Sequence, residues 1–204
     1  QGEQAIRTGI MSQRYLPIFS FTTDIIRLMI PLNCALCGRK KMTFFEDVIL
    51  TDSIEIETEP ETIFNFLTSI KDDESYRAWH KSDHVTFRWI QGQPWKEGSI
   101  LYAEEYFHGK LHKFKFMVTK IVPNEKIVYS PVSRLLRMFF PKNEFIIKGK
   151  KTTSVFIASV NYRVGWIGKK FFQKSINKGL SSVKKHMKEE GENIKLILES
   201  KKHT

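Results

Sequence analysis

Hydrophobic and polar positions alternate legibly from Ser53 onward. In "DSIEIETEPETIFNFL" Ile54 and Ile56 are interleaved with acidic residues, which predicts a half-buried strand. The period then changes. Ile63, Phe64 and Leu67 share one side of a short helix opened by Pro60, with Thr58 or Glu59 as its N-cap. "DDESYRAWH" predicts a second short helix. The strand period returns in six runs, "HVTFRWI", "SILYAEEYFH", "LHKFKFMVTKIV", "KIVYSPV", "NEFIIKGK" and "TTSVFIASVNYRV". Their separators, among them "QGQPWKEG", "HGK", "VPNE" and "KGKK", are turn material, so the runs should form an antiparallel meander. Over about residues 167 to 190, Phe172, Ile176, Leu180, Val183 and Met187 recur at spacings of four and three, the stripe of one long helix facing a sheet.

This order of elements is an α+β arrangement that resembles the START-like helix-grip fold, in which a curved antiparallel sheet wraps around a long C-terminal helix. Such a sheet and helix enclose a deep apolar cavity. Composition agrees: 41% of the residues are hydrophobic, and sixteen Phe and four Trp supply large rings to line a core. We therefore expect one helix-grip domain over residues 42–204. Residues 1–41 show no steady period and read as a weakly structured extension, with Met42 as the expected start of the domain. The most apolar run there, "YLPIFSFTTDIIRLMIPLNCALC", is interrupted by Pro17, Asp24, Arg27 and Pro31, which suits neither a membrane span nor a signal-peptide core. No stable membrane insertion is expected.

Both cysteines, Cys34 and Cys37, lie in that extension. A single CxxC without the strand-then-helix setting of a redox motif, or a second ligand pair for zinc, reads as coincidence. The domain then has no disulfide framework, which suits the reducing cytoplasm. The net charge of +11 permits attraction to anionic partners. The lysines are spread along strands and helices, however, with no Arg-rich tract and no nucleic-acid module. We read them as a solvated basic surface and expect no nucleic-acid partner.

Candidate chemistry sits in three places. The segment "ILYAEEYFHGKLHKFKFMV" folds as a hairpin around Gly109 and Lys110, in which an even loop pairs Phe107 with His112, Glu105 with Phe114 and Glu104 with Lys115. Lysines seek solvent, so Glu104 should lie outside in a cross-strand ion pair while Glu105 points inward among Phe114 and Phe116. A three-residue loop would invert that assignment. An inward carboxylate needs a cation or a neighbouring His to offset its burial. The second place is "YRAWHKSDH", where Tyr76, His80, Asp83 and His84 fall between the second helix and the next strand. Strict alternation with Val85, Phe87 and Trp89 inward would send His84 outward. The tension is relieved if His84 precedes the regular strand. The third is "KKHMKEEGEN", where His186 and Glu190 stand four apart and hence one turn above each other at the edge of the apolar stripe.

"YRAWHKSDH", the glutamate pair of "YAEEY" and above all "HMKEEGEN" resemble the motifs of the diacetylphloroglucinol and phloretin hydrolase family, zinc enzymes on the START-like fold. The resemblance covers most of residues 53 to 198. It implies zinc bound by His84, Glu105, His186 and Glu190, with Tyr76 as a candidate substrate contact. Beside such a site, the residues themselves offer His112, His80 or Tyr76 to shuttle protons or orient the substrate. The alternatives His80 for His84 and Glu104 for Glu105 stay open. The expected function is hydrolysis of a carbon–carbon bond in an acylated phenolic or polyketide-like small molecule. A non-enzymatic carrier or sensor and a metal-free polyketide cyclase or aromatase are alternatives the same fold supports.

Overall fold

The computed structural model describes residues 45–200, apart from His108 and Lys151. The elements are β1 (Phe45–Ile56), α1 (Pro60–Ser69), α2 (Asp73–Trp79), β2 (His84–Gln91), β3 (Ile100–Phe107), β4 (Lys110–Val122), β5 (Lys126–Pro131), α3 (Arg134–Phe139), β6 (Lys142–Lys150), β7 (Thr153–Gly165) and α4 (Trp166–Ser200). Seven strands form one sheet in the order β1-β7-β6-β5-β4-β3-β2. Every pairing is antiparallel. The predicted meander is β2 to β7, and β1 returns to lie beside β7, from Phe45 opposite Gly165 to Ile56 opposite Ser154. This is the expected helix-grip order, with α4 on the inner face of the sheet.

Three details differ from expectation. The first strand starts at Phe45, well before Ser53, and α4 runs past residue 190 to Ser200. A short helix, α3, interrupts the meander between β5 and β6, capped by the Ser133 side chain accepting from the Leu136 N–H. The extension assigned to residues 1–41 lies outside the described residues.

Local chemistry explains the elements that carry the site. Pro60 opens α1 at a position where no intrahelical N–H is needed, and Ile63 and Leu67 bury its inner side completely. α2 starts with a capping box: Asp72 accepts from the Ser75 N–H at 2.9 Å, and the Ser75 hydroxyl accepts from the Asp72 N–H at 3.2 Å. The helix buries Tyr76 and Trp79 and ends at His80, whose backbone N–H donates to the Tyr76 carbonyl. α4 is kinked at Phe172, where φ is −125° and ψ 19°. Beyond the kink its buried side follows the predicted stripe through Ile176 and Met187 and continues to Ile194 and Leu198. Gly191 brings the helix close to β1: a Cβ there would stand 3.2 Å from Ile54 Cγ2.

Two register features decide which side chains face α4. The β3–β4 hairpin leaves two residues between Phe107 and Lys110, with Gly109 at φ 70°. Glu105 therefore stands opposite His112, Ala103 opposite Phe114 and Glu104 opposite Lys113, so the predicted register is corrected by two residues. The shift is even. Faces are preserved, and Glu104 forms its ion pair with Lys113 at 3.1 Å rather than with Lys115. In β2 a bulge at Val85 places His84 opposite Glu105 and Thr86 opposite Glu104. One extra residue breaks strict alternation, so His84 and Phe87 both turn inward and both are buried.

Candidate metal centre

His84, Glu105 and His112 occupy directly opposed positions on β2, β3 and β4, and so share one face of the sheet. α4 brings His186 and Glu190 over that row. One ligating atom each from His84, His186 and Glu190 lie within 4.8 Å of one another, and all three residues are buried. His84 Nε2 is 3.3 Å from Glu190 Oε1, and His186 Nε2 is 3.5 Å from the same oxygen. Glu105 joins through its second oxygen, 3.8 Å from His186 Nε2.

The outer nitrogen of each imidazole determines what the inner one can do. His84 Nδ1 is 3.0 Å from the Tyr76 carbonyl, which can only accept, so Nδ1 carries the hydrogen. In the neutral ring the lone pair is then on Nε2, which is buried without a hydrogen-bond partner. His186 repeats the arrangement with Nδ1 3.2 Å from Asp83 Oδ2. Ligating atoms of His84, His186 and Glu190 thus converge, and Glu105 stands beside them against His186. This donor set fits a divalent cation, because each ligand imidazole is anchored through its other nitrogen. The Trp79 indole N–H fixes the helix turn by donating to the Glu190 carbonyl at 3.1 Å.

Electrostatics in the metal-free protein answer to the same geometry. Burial works against a charge on His186, but Glu190 and Glu105 beside it, with Asp83 at Nδ1, push its pKa up to about 10. Burial likewise opposes ionisation of Glu190, and the facing His186 outweighs it, bringing Glu190 down to about 2. His80 is held below the ordinary imidazole value, first by burial and then by His84 and His186. Its ring lies 5.3 Å from that of His84 and 5.2 Å from that of His186, and its Nδ1 has no hydrogen-bond partner.

The structure brings the sequence-predicted residues together with differing parts. Tyr76, expected at the substrate, is 3% exposed, donates to Glu105 and stacks on the His84 ring at 3.8 Å. Burial, and then Glu105, raise its pKa well above the ordinary phenol value, so it remains a donor. His112 faces Glu105 and packs with Phe107 and Phe114. His80 belongs to an outer group with Asp83 and His186, not to the inner one. Asp83, a candidate of the same segment, stands at His186 Nδ1 in that outer group, outside the inner one. A cleft of about 590 Å³ reaches the outer side of His186, lined among others by Asp83, Tyr106, Phe107, Lys185 and Glu189.

No protein-family model matches the chain, and no curated protein matches it. Solved structures do. The Zhui aromatase/cyclase from Streptomyces sp. R1128 aligns with TM-score 0.58 at 7% identity, over 73% of this chain and 92% of that one. Norcoclaurine synthase from Thalictrum flavum aligns with TM-score 0.55 at 14% identity, over 83% and 98%. A polyketide-cyclase-like protein from Corynebacterium glutamicum aligns with TM-score 0.51 at 16% identity, over 76% and 94%. The chain has the START-like helix-grip fold. At these identities the likeness is one of fold alone, and none of these structures supports the hydrolase family in particular.

Proposed function

We propose that the protein is a zinc-dependent hydrolase that cleaves the carbon–carbon bond between an acyl group and a phenolic, phloroglucinol-like ring. The observation that supports this reading is the convergence of His84 Nε2 and His186 Nε2 on Glu190, with Glu105 beside His186 and both Nδ1 atoms engaged outside. Two imidazoles and two carboxylates suit zinc and leave room for water or substrate. When bound, zinc supplies a positive charge that acidifies water and polarises a carbonyl.

The chain's own groups have definable tasks around such a site. Tyr76 holds Glu105 by its hydroxyl, and Asp83 holds the proton on His186 Nδ1. His80, kept neutral by burial and by the two neighbouring imidazoles, is suited to move a proton between the site and Glu189, whose carboxylate is 3.9 Å from His80 Nε2. Phe107 and Phe114 cover the inner side with apolar surface and exclude water. In the reaction the oxygen of water bonds to the acyl carbon, the bond to the ring breaks, and the ring carbon takes a proton. The products are a phenol and a carboxylic acid.

The test is the zinc content of the purified protein together with hydrolysis of a panel of acylated phloroglucinols. About one zinc per chain and chelator-sensitive cleavage are expected. A clean absence of zinc after zinc-supplemented expression would overturn the reading. A second reading, a metal-free cyclase or aromatase, is favoured by the names of two fold neighbours, an aromatase/cyclase and a polyketide-cyclase-like protein. It predicts conversion of a polyketide-like substrate that survives complete removal of metal.

A further inference from the structure

We infer that the end of the molecule where α4 leaves the sheet is a membrane-docking face, which binds anionic lipid headgroups through lysines and inserts Trp166 and Phe171 among the acyl chains. This inference is independent of the metal site.

The first observation is that charge is not evenly spread. Residues 126–188 contain fifteen Lys or Arg and a single acid, Glu144, whereas residues 45–125 contain nine and fifteen. The basic excess belongs to β5, α3, β6, β7 and the first half of α4. The second observation is apolar exposure within that basic part. Trp166 is 61% and Phe171 64% exposed, and on α3 Leu135 and Met138 are 41% and 38% exposed. These are large side chains turned to solvent, which a free surface does not favour in a group.

The two elements lie at the same end of the sheet. Phe139 of α3 packs on Phe45, whose register partner is Gly165, the residue before Trp166. Phe140 packs on Tyr162 with ring centroids 5.1 Å apart. Cations sit within this apolar group, since Lys170 Nζ lies 5.2 Å from the Trp166 ring and 5.4 Å from that of Phe171. Arg134, Lys174 and Lys178 are exposed beside them. Trp and Phe at headgroup depth with Lys around them is the chemistry of an interfacial anchor. A nucleic-acid surface would use the lysines and aromatics but has no place for Leu135 and Met138.

The experiment is co-sedimentation of the full chain with phosphatidylcholine vesicles, with and without phosphatidylserine, at low and high salt. Binding is expected only to the anionic vesicles and should weaken at high salt. The Trp166→Ala/Phe171→Ala double variant should partition about tenfold less or weaker still. Lys170→Glu/Lys174→Glu should behave similarly, and both variants should melt like the parent because their side chains are exposed. Failure of the parent to bind anionic vesicles would overturn the inference. So would unchanged vesicle binding by the aromatic double variant, with duplex DNA competing fully, which would mark a general polyanion surface. Self-association abolished by the double variant, without vesicle binding, would assign the patch to a second copy of the chain instead.

Discussion

One face of α4 carries two buried regions of opposite character. Around Ile194 and Leu198 the helix meets Ile56, Ile63 and Leu67 in an apolar core. Two turns earlier the same face presents His186 and Glu190 to His84 and Glu105. Burial is comparable, with Ile194 at 0% and Glu190 at 8% exposure, but its energetic meaning differs. Removing an Ile side chain from water contributes about 1.5–3 kcal/mol. Removing two imidazoles and two carboxylates costs desolvation that their mutual attraction roughly offsets, so the polar cluster adds little stability by itself. On the proposed reading, a region held at such expense beside an equally available apolar solution is kept for the zinc it binds.

The comparison is broken most completely by exchanging the two losses. His186→Ala, Glu190→Ala and Glu105→Gln should each reduce zinc from about one per chain to near none, measured by elemental analysis after dialysis. Ile194→Ala should leave zinc content unchanged while lowering unfolding free energy by about 2–5 kcal/mol in denaturant titration. If zinc survives in both α4 variants, the His-x-x-x-Glu spacing is ordinary helix chemistry and the hydrolase reading loses its main support.

Asp83 gives a finer test, because it reaches the cluster through His186 Nδ1 at 3.2 Å, with His80 Nδ1 further off at 3.8 Å. Asp83→Asn can still accept a hydrogen bond but withdraws the negative charge that strengthens the imidazole as a donor of its lone pair. Zinc affinity should fall about 10–100-fold, with the melting temperature of the metal-free protein little changed. Unchanged affinity in competition with a chromophoric chelator would remove Asp83 from the site.

Much of this contrast was legible in the sequence, and the rest failed for identifiable reasons. Strand and helix periods located the sheet and α4, and the lysines of β4 assigned Glu104 outward and Glu105 inward even with the register two residues off. Parity survives an even slip. The inward turn of His84 could not be read, because a β-bulge at Val85 is an insertion with no residue type of its own. α3 was missed because "RLLRMF" is too short for a helical period to be distinguished from a loop. Asp83 acquires its role from a helix 103 residues away, a pairing that only the fold produces. The charge excess of residues 126–188 was visible, but its significance depends on α3 and the start of α4 lying at the same end of the sheet.

Acidity separates the two regions further. The raised pKa of His186 means its contribution to metal-free stability is fully present below about pH 6.5 and is lost as pH rises through about 10. The depressed pKa of Glu190 means its contribution is present above about pH 4.5 and is lost as pH falls through about 2. The pair therefore stabilises the metal-free fold most between these inner limits. Zinc must displace the His186 proton, so the rise in melting temperature on adding zinc should be larger at pH 8 than at pH 6. An equal rise at both would show that His186 is not protonated in the metal-free protein.

The smallest expected effect comes from Glu104, the chain neighbour of a proposed ligand. Its carboxylate accepts from the Tyr102 hydroxyl and pairs with Lys113 on the outer face of the hairpin, and these two contacts hold its pKa below the usual carboxylate range. Lys113 is well exposed, so solvent screens the pair and leaves it little net worth. Glu104→Gln should then leave both zinc content and melting temperature within error of the parent, while Glu105→Gln one residue on abolishes zinc binding. Because adjacent strand residues face opposite ways, the two variants together read the parity of the hairpin directly. Zinc lost in Glu104→Gln and retained in Glu105→Gln would place Glu104 inside, move the row formed with His84 and His112 to the other face, and remove Glu105 from the metal centre.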